Sequence, residues 1–130
     1  MIYPIVAYGD PVLKKRCKEI EEDHEGLQDI IANMFQTMNK ASGVGLAAPQ
    51  VGKSIRLFIV DASPFSEDEE LEESERDFLA NFQRVFINPI VLEEKGEKWG
   101  FHEGCLSIPD IREEIMRKPD VLIELSLIHI

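Results

Sequence analysis

The sequence predicts an α+β fold: short antiparallel or mixed strands packed around one long N-terminal helix. Three observations carry this. Leu27, Ile30, Ile31, Met34 and Met38 fall at helical spacing and make one apolar stripe. Several short runs rich in β-branched residues follow, each bounded by turn signals. The chain has 130 residues, of which 44% are hydrophobic. That suits one domain burying about two thirds of its unfolded surface, and it is too apolar for a disordered acidic tail. A helix followed by strands in this order is an α+β pattern.

The elements follow in chain order. Tyr8-Gly9-Asp10-Pro11 is a turn signal, because Gly tolerates unusual φ and Pro pre-sets its own. Asp23 and Glu25 near the helix start suit the positive end of its dipole, and Lys40 suits the other end. Gly43 is the expected stop, in the left-handed conformation. Residues 43–52 are small, apolar and broken by Pro49, so neither a helix nor a regular strand is expected there. Residues 55–60 read as a buried strand. Residues 62–81 form a polar, acidic insertion: a mobile surface loop, then a short helix within 71–82. Residues 84–87 read as a strand ending at Asn88-Pro89, where the ring removes a backbone donor. A hairpin is expected within 91–101 around Glu94-Lys95-Gly96, an irregular segment over 104–109, and a last strand over 121–130.

Charge and composition exclude several functions. Acids outnumber bases 25 to 14, for a formal net charge of -11. The excess is concentrated in residues 67–77, which hold eight acids and one base, Arg76. Direct nucleic-acid binding, which needs clustered cations to release counterions, is not expected. No apolar run reaches the roughly 18 residues of a membrane span, and the start lacks a signal-peptide pattern. Two cysteines make a poor disulfide framework, so a cytoplasmic location is expected.

Two segments can carry chemistry. In residues 43–50, Gly43 and Gly45 let a ligand or another backbone approach closely. Gln50 adds a neutral amide that can stabilise an oxyanion without changing the site's charge; a tight packed loop is the plainer reading. Residues 103–107 place Cys105 beside Gly104 before a proline-marked bend. That thiol is a soft metal ligand, a nucleophile, or a buried free cysteine behaving as a small hydrophobe. His102, three residues earlier, offers a His-x-x-Cys metal pair or a base for a thiol enzyme. His24 and His129 have no evident partners, and Cys17 between Arg16 and Lys18 reads as a structural thiol.

Together the segments are far more specific. Gly43-Val44-Gly45-Leu46-Ala47-Ala48-Pro49-Gln50 resembles the first signature of the peptide deformylases, and Glu103-Gly104-Cys105-Leu106-Ser107 resembles the second. The resemblance extends from Tyr8 to about Glu124. It implies a deformylase-like α+β fold and a metal-dependent hydrolase that removes the formyl group from the N-terminal formyl-methionine of nascent polypeptides. By similarity Cys105 would be a metal ligand, with Fe2+ the native ion and Zn2+ or Ni2+ alternatives. Gln50 and the backbone N–H of Leu106 would be catalytic, stabilising the oxyanion. Val44, Gly45, Glu103 and Gly104 would bind the substrate as an added strand. Formyl-methionyl nascent peptides are the implied partners, with the ribosome surface a further one, and no membrane.

One departure is large. The family's third signature, His-Glu-x-x-His, sets two histidines on one helix face with a glutamate as base, and it does not occur in this sequence. The expectation is therefore an incomplete deformylase domain over 1–124, truncated before that helix, with its metal site incomplete and the 130-residue chain inactive. A non-catalytic peptide-binding remnant is the alternative. Residues 125–130, Leu-Ser-Leu-Ile-His-Ile, also translate CTGTCTCTTATACACATC, the end sequence of a transposon adapter used in DNA library preparation, and are expected to be a non-native tail.

Overall fold

The computed structural model describes residues 1–21, 23–117 and 120–125, with the backbone alone described at 101–104, 108–116 and 120. The expected helix, α1, spans Leu27–Lys40 and buries Leu27, Ile31, Met34, Thr37 and Met38. Ile30, on the edge of the stripe, is partly buried against the same core. Gly26 caps its start at φ 73, and the acid in the first turn is Asp29 rather than Asp23 or Glu25.

The helix stop differs from expectation by one residue. Ser42, not Gly43, takes the left-handed conformation, at φ 57. The N–H of Gly43 reaches the carbonyl of Met38 (3.0 Å) and that of Ser42 reaches Asn39 (3.2 Å). This double closure satisfies carbonyls that the helix end would leave open. Gly43 is required for space instead: a Cβ there would lie 2.7 Å from Leu106 Cδ1 and 3.3 Å from Met38 Cγ.

Against α1 lies an antiparallel sheet of order β1-β2-β3, made of Gly45–Ala47, Leu57–Asp61 and Gln83–Ile87. The expectation that residues 43–52 hold no strand is thus corrected. Residues 45–47 pair with β2 in the register Gly45↔Val60, Leu46↔Ile59, Ala47↔Phe58. Pro49 ends this pairing, and the chain tightens into a 3-10 turn over Ala48–Val51. β2 begins two residues later than expected. Ile55 instead makes an isolated parallel bridge with Lys18. Leu57, Ile59 and Asp61 face inward, while Phe58 on the other face stacks on Phe86 at 4.5 Å. Met34, Met38 and Ile59 sit at the centre of the core, fully buried.

Between β2 and β3 the chain leaves the sheet. A 3-10 turn over Ser63–Glu67 replaces the expected loop, and α2 follows over Glu73–Ala80, within the stretch expected to be helical. Arg76 Nε ties the two together by donating to the Ser66 carbonyl at 2.8 Å.

The remaining strands are β4 (Ile90–Lys95), β5 (Trp99–Cys105), β6 (Ile108–Arg117) and β7 (Asp120–Glu124). The expected β4–β5 hairpin does not form, although Gly96 turns the chain at φ 93. β5 pairs with β6 across the two-residue turn Leu106-Ser107, and β7 returns beside β4. The segment expected to be irregular, 104–109, is this turn with a register shift between Gly104 and Cys105. Of the strand expected over 121–130, residues 126–130 lie outside the described residues. All pairings between the numbered strands are antiparallel.

Candidate functional site

The two segments singled out in the sequence meet. Gln50 lies on the 3-10 turn that ends β1, and Cys105 lies at the end of β5. The Gln50 Nε2 amide donates toward Cys105 Sγ at 3.5 Å and toward Ser107 Oγ at 3.3 Å. Its Oε1 accepts from the Ala47 N–H at 3.0 Å. A backbone N–H can only donate, so Oε1 must face Ala47 and Nε2 must face the thiol. The amide is therefore held at both ends, with its donor side presented to the exposed Cys105.

The turn around Cys105 is set by the ladder. Gly104 opposes Arg112, but Cys105 opposes Ile108, so the register slips by several residues at that point. Such an irregularity re-aims the side chains beside it. Leu106 packs partly into the core over Gly43, and Ser107 is buried.

The N-terminal segment laces the two motifs together. The Val6 N–H donates to the Gln50 carbonyl at 2.8 Å, and the Tyr8 N–H donates to the Ser107 carbonyl at 2.9 Å. Ser107 and these two bonds were not among the residues the sequence pointed to. Backbone donors leave no side-chain signature, and Ser107 figured only as the last letter of a motif.

Val44 and Gly45 are exposed, on and just before the edge strand of the sheet. The Val44 carbonyl accepts from the Asp61 N–H at 2.9 Å. Bonded and non-bonded pairs alternate in an antiparallel ladder, so the Gly45 N–H and C=O point away from β2, to the open side. Glu103 and Gly104 immediately precede Cys105 in β5, opposite Glu113 and Arg112. Asp61 is buried at the end of β2. Hydrogen bonding from the Ser63 side chain holds its carboxyl below the usual range; burial opposes this, and the Ser63 N–H (2.9 Å) and Gln83 amide (3.2 Å) add to the lowering.

Among the described residues, no group of three or more His, Cys, Asp or Glu side chains could hold a metal ion. The His102 side chain and His129 lie outside the described residues, and His24 is half-buried on the approach to α1. A catalytic metal of the zinc type takes three protein ligands. The described donor set, with Cys105 as its one thiol at the site, does not fit one. What the arrangement offers is a neutral, oriented amide donor beside a thiol, at the end of an open strand edge. No described helix is long and apolar enough to cross a membrane.

Comparison with known proteins places these features in a family. The family model for polypeptide deformylase matches residues 2–129. The chain is 56% identical over 124 residues to a peptide deformylase of Christiangramia forsetii, covering 95% of this chain and 63% of that protein. It is 57% identical over 124 residues to one from Flavobacterium psychrophilum, covering 95% and 64%. The chain thus spans less than two thirds of the length of these curated relatives. Among solved structures, the peptide deformylase of Thermotoga maritima superposes with a TM-score of 0.79 at 37% identity, over 97% of this chain and 74% of that one. A Met-Ala-Ser-bound class I type b peptide deformylase of Acinetobacter baumannii gives 0.81 at 30% identity, over 96% and 76%.

Proposed function

The chain belongs to the polypeptide deformylase family, and from that premise we propose that residues 1–124 form the peptide-binding and oxyanion side of a deformylase site. Deformylases are hydrolases that act on formylated nascent peptides. The observation that carries the proposal is the Gln50 amide, held by Ala47 at one end and aimed at Cys105 Sγ, 3.5 Å away, at the other.

An extended peptide adds to the free edge of β1 through the Gly45 N–H and C=O, with the Val44 and Glu103-Gly104 backbones completing the cleft. Running antiparallel to β1, it puts its formyl end at Gln50 and sends its chain out past Val44. Negative charge developing on the formyl oxygen is met by two neutral donors, Gln50 Nε2 and the Leu106 N–H. Both are set in place before the substrate arrives, so neither has to reorganise during the reaction. Gly43 lets Leu106 seat against α1, which fixes the second donor.

Deformylases use a divalent metal, and Cys105 is the residue here that would ligate it. One thiolate is too few, so the 130-residue chain neither holds a stoichiometric metal nor releases formate. It still binds formyl-Met-Ala-Ser. Gln50→Ala weakens that binding several-fold, the effect of one hydrogen bond of about 1 kcal/mol. Calorimetry on the purified chain, with Fe2+, Ni2+ or Zn2+ supplied in turn and formate measured alongside, tests this. One tightly held metal per chain with formate release would overturn the inactivity; no peptide binding would overturn the cleft.

The incomplete donor set also supports a second reading, a non-catalytic peptide-binding remnant. Equal affinity for formyl-Met-Ala-Ser and Met-Ala-Ser, insensitive to Gln50→Ala, marks that case.

A further inference from the structure

We propose that the exposed aromatic and acidic face of the 62–82 excursion is a specificity surface for the downstream part of the substrate, favouring peptides with lysine or arginine from their fourth residue onward. This rests on the cleft reading above.

No residue of α2 is buried, and α2 packs on the 3-10 turn before it. Phe78 on α2 is 61% exposed and Phe65 on the turn is 41% exposed. Two aromatic side chains are therefore offered to solvent on one small unit, which is the composition of a contact surface rather than of a solvated helix.

The charge of the unit says what would cover it. All eight acids of residues 67–77 are exposed, and among the described residues none makes an ion pair. The one base, Arg76, is spent within the unit on the Ser66 carbonyl. A partner carrying basic side chains with aliphatic stems matches this surface, because lysine and arginine stems cover aromatic rings while their heads meet the carboxylates.

Position names the partner. The excursion leaves the sheet just after Asp61, whose N–H is bonded to the Val44 carbonyl. It returns at Phe82, whose carbonyl accepts from the Ala62 N–H at 2.9 Å. Its root is thus at the end of β1 where an antiparallel peptide leaves the cleft. Paired strands match residue for residue, so Val44 to Ala47 face four residues of an extended peptide, the fourth lying opposite Val44. The fourth and later residues pass beside the 62–82 unit. Contacts of this rim type steer and select more than they hold.

The test uses three peptides, formyl-Met-Ala-Ser followed by three lysines, three serines or three glutamates, each with a C-terminal dye read by fluorescence anisotropy on the 130-residue chain. At low salt the lysine peptide binds about fivefold more tightly than the glutamate peptide, with serine between, as three solvent-exposed pairs allow. At 0.5 M salt the ratio falls below twofold. The variant E67Q/E69Q/E70Q/E72Q, at four exposed carboxylates, brings the lysine-to-glutamate ratio below twofold at low salt. Equal binding of the three peptides, or a ratio the variant leaves intact, overturns this inference alone. Failure of all three to bind overturns the cleft reading with it.

Discussion

The α1 body and the β4–β7 ribbon are built from the same kinds of side chain and treat them in opposite ways. Met34, Met38 and Ile59 are sealed between α1 and the three-stranded sheet. Every residue of β4 is exposed, with Val91 at 61% and Leu92 at 56%, and Val121 and Leu122 of β7 are exposed as well. The difference is in partners, not in hydrophobicity. Leu57-Phe58-Ile59-Val60 of β2 is an apolar run as well, but its inward face meets α1 and buries Leu57, Ile59 and Asp61. Ile90-Val91-Leu92 is likewise a run, and among the described residues it leaves apolar groups exposed on both faces of a two-stranded ribbon. An isolated pair of strands is marginal in water. Stability therefore resides in the body, and the ribbon is carried by it.

The largest effect follows directly. Met34→Ala removes a fully buried side chain from the centre of the body. It should cost about 3 kcal/mol, the usual range for such a truncation. Leu92→Ala, in the ribbon, should change stability by no more than about 0.5 kcal/mol. Urea unfolding followed by circular dichroism measures both. Comparable costs at the two positions would break the comparison, since they would mean the ribbon is packed in solution.

The same contrast explains what was legible in the sequence. α1 was readable because its burial is periodic and its partner layer imposes that period. The ends were not: the helix closes through Ser42, and Gly43 is needed for the Leu106 side chain from a segment more than 60 residues away. β1 was hidden because three residues before a proline carry no period, and only pairing with β2 makes them a strand. β4 was readable as extended, but its partner is β7, far along the chain, and no residue type in β4 records that pairing. At the site, Gln50 and Cys105 were legible as chemistry. That Ala47 fixes the Gln50 amide, and that Val6 and Tyr8 tie both turns by their N–H groups, depends on backbone geometry that residue types do not record.

A middle-sized effect tests the seam between the two regions. Asn88 follows β3, two residues before the ribbon begins, in the left-handed region at φ 51. Its Oδ1 accepts from the Ile20 N–H at 2.7 Å and its Nδ2 donates to the Ile20 carbonyl at 2.9 Å. Asn88 and Ile20 are buried, so loss of the amide strands two polar backbone groups. Asn88→Ala should cost about 2 kcal/mol. Asn88→Gly removes the conformational strain but not the lost bonds, so it should recover only a minor part. Full recovery by glycine would place the cost in the backbone conformation and not in the clamp on Ile20.

The smallest effect is a pH dependence confined to the body. Asp61 has its folded-state pKa lowered from 3.8, chiefly by the Ser63 side-chain hydrogen bond. A carboxyl with a depressed folded pKa stabilises the fold above its unfolded value and loses that contribution as pH falls through the folded value. The stability difference between the natural chain and Asp61→Asn should therefore be flat from pH 7 to about 5. It should shrink below about 4, where the unfolded chain takes up the proton first, and be lost as pH falls through the lower folded value. Amide exchange should show the change in β2 and in the Val44 bond to Asp61, while β4 and β7 exchange alike in both proteins. A difference that grew on acidification would require a raised pKa, and so an Asp61 unpaired with Ser63. The root of the 62–82 excursion, and with it the exit end of β1, would then not be fixed in the way the proposed substrate path needs.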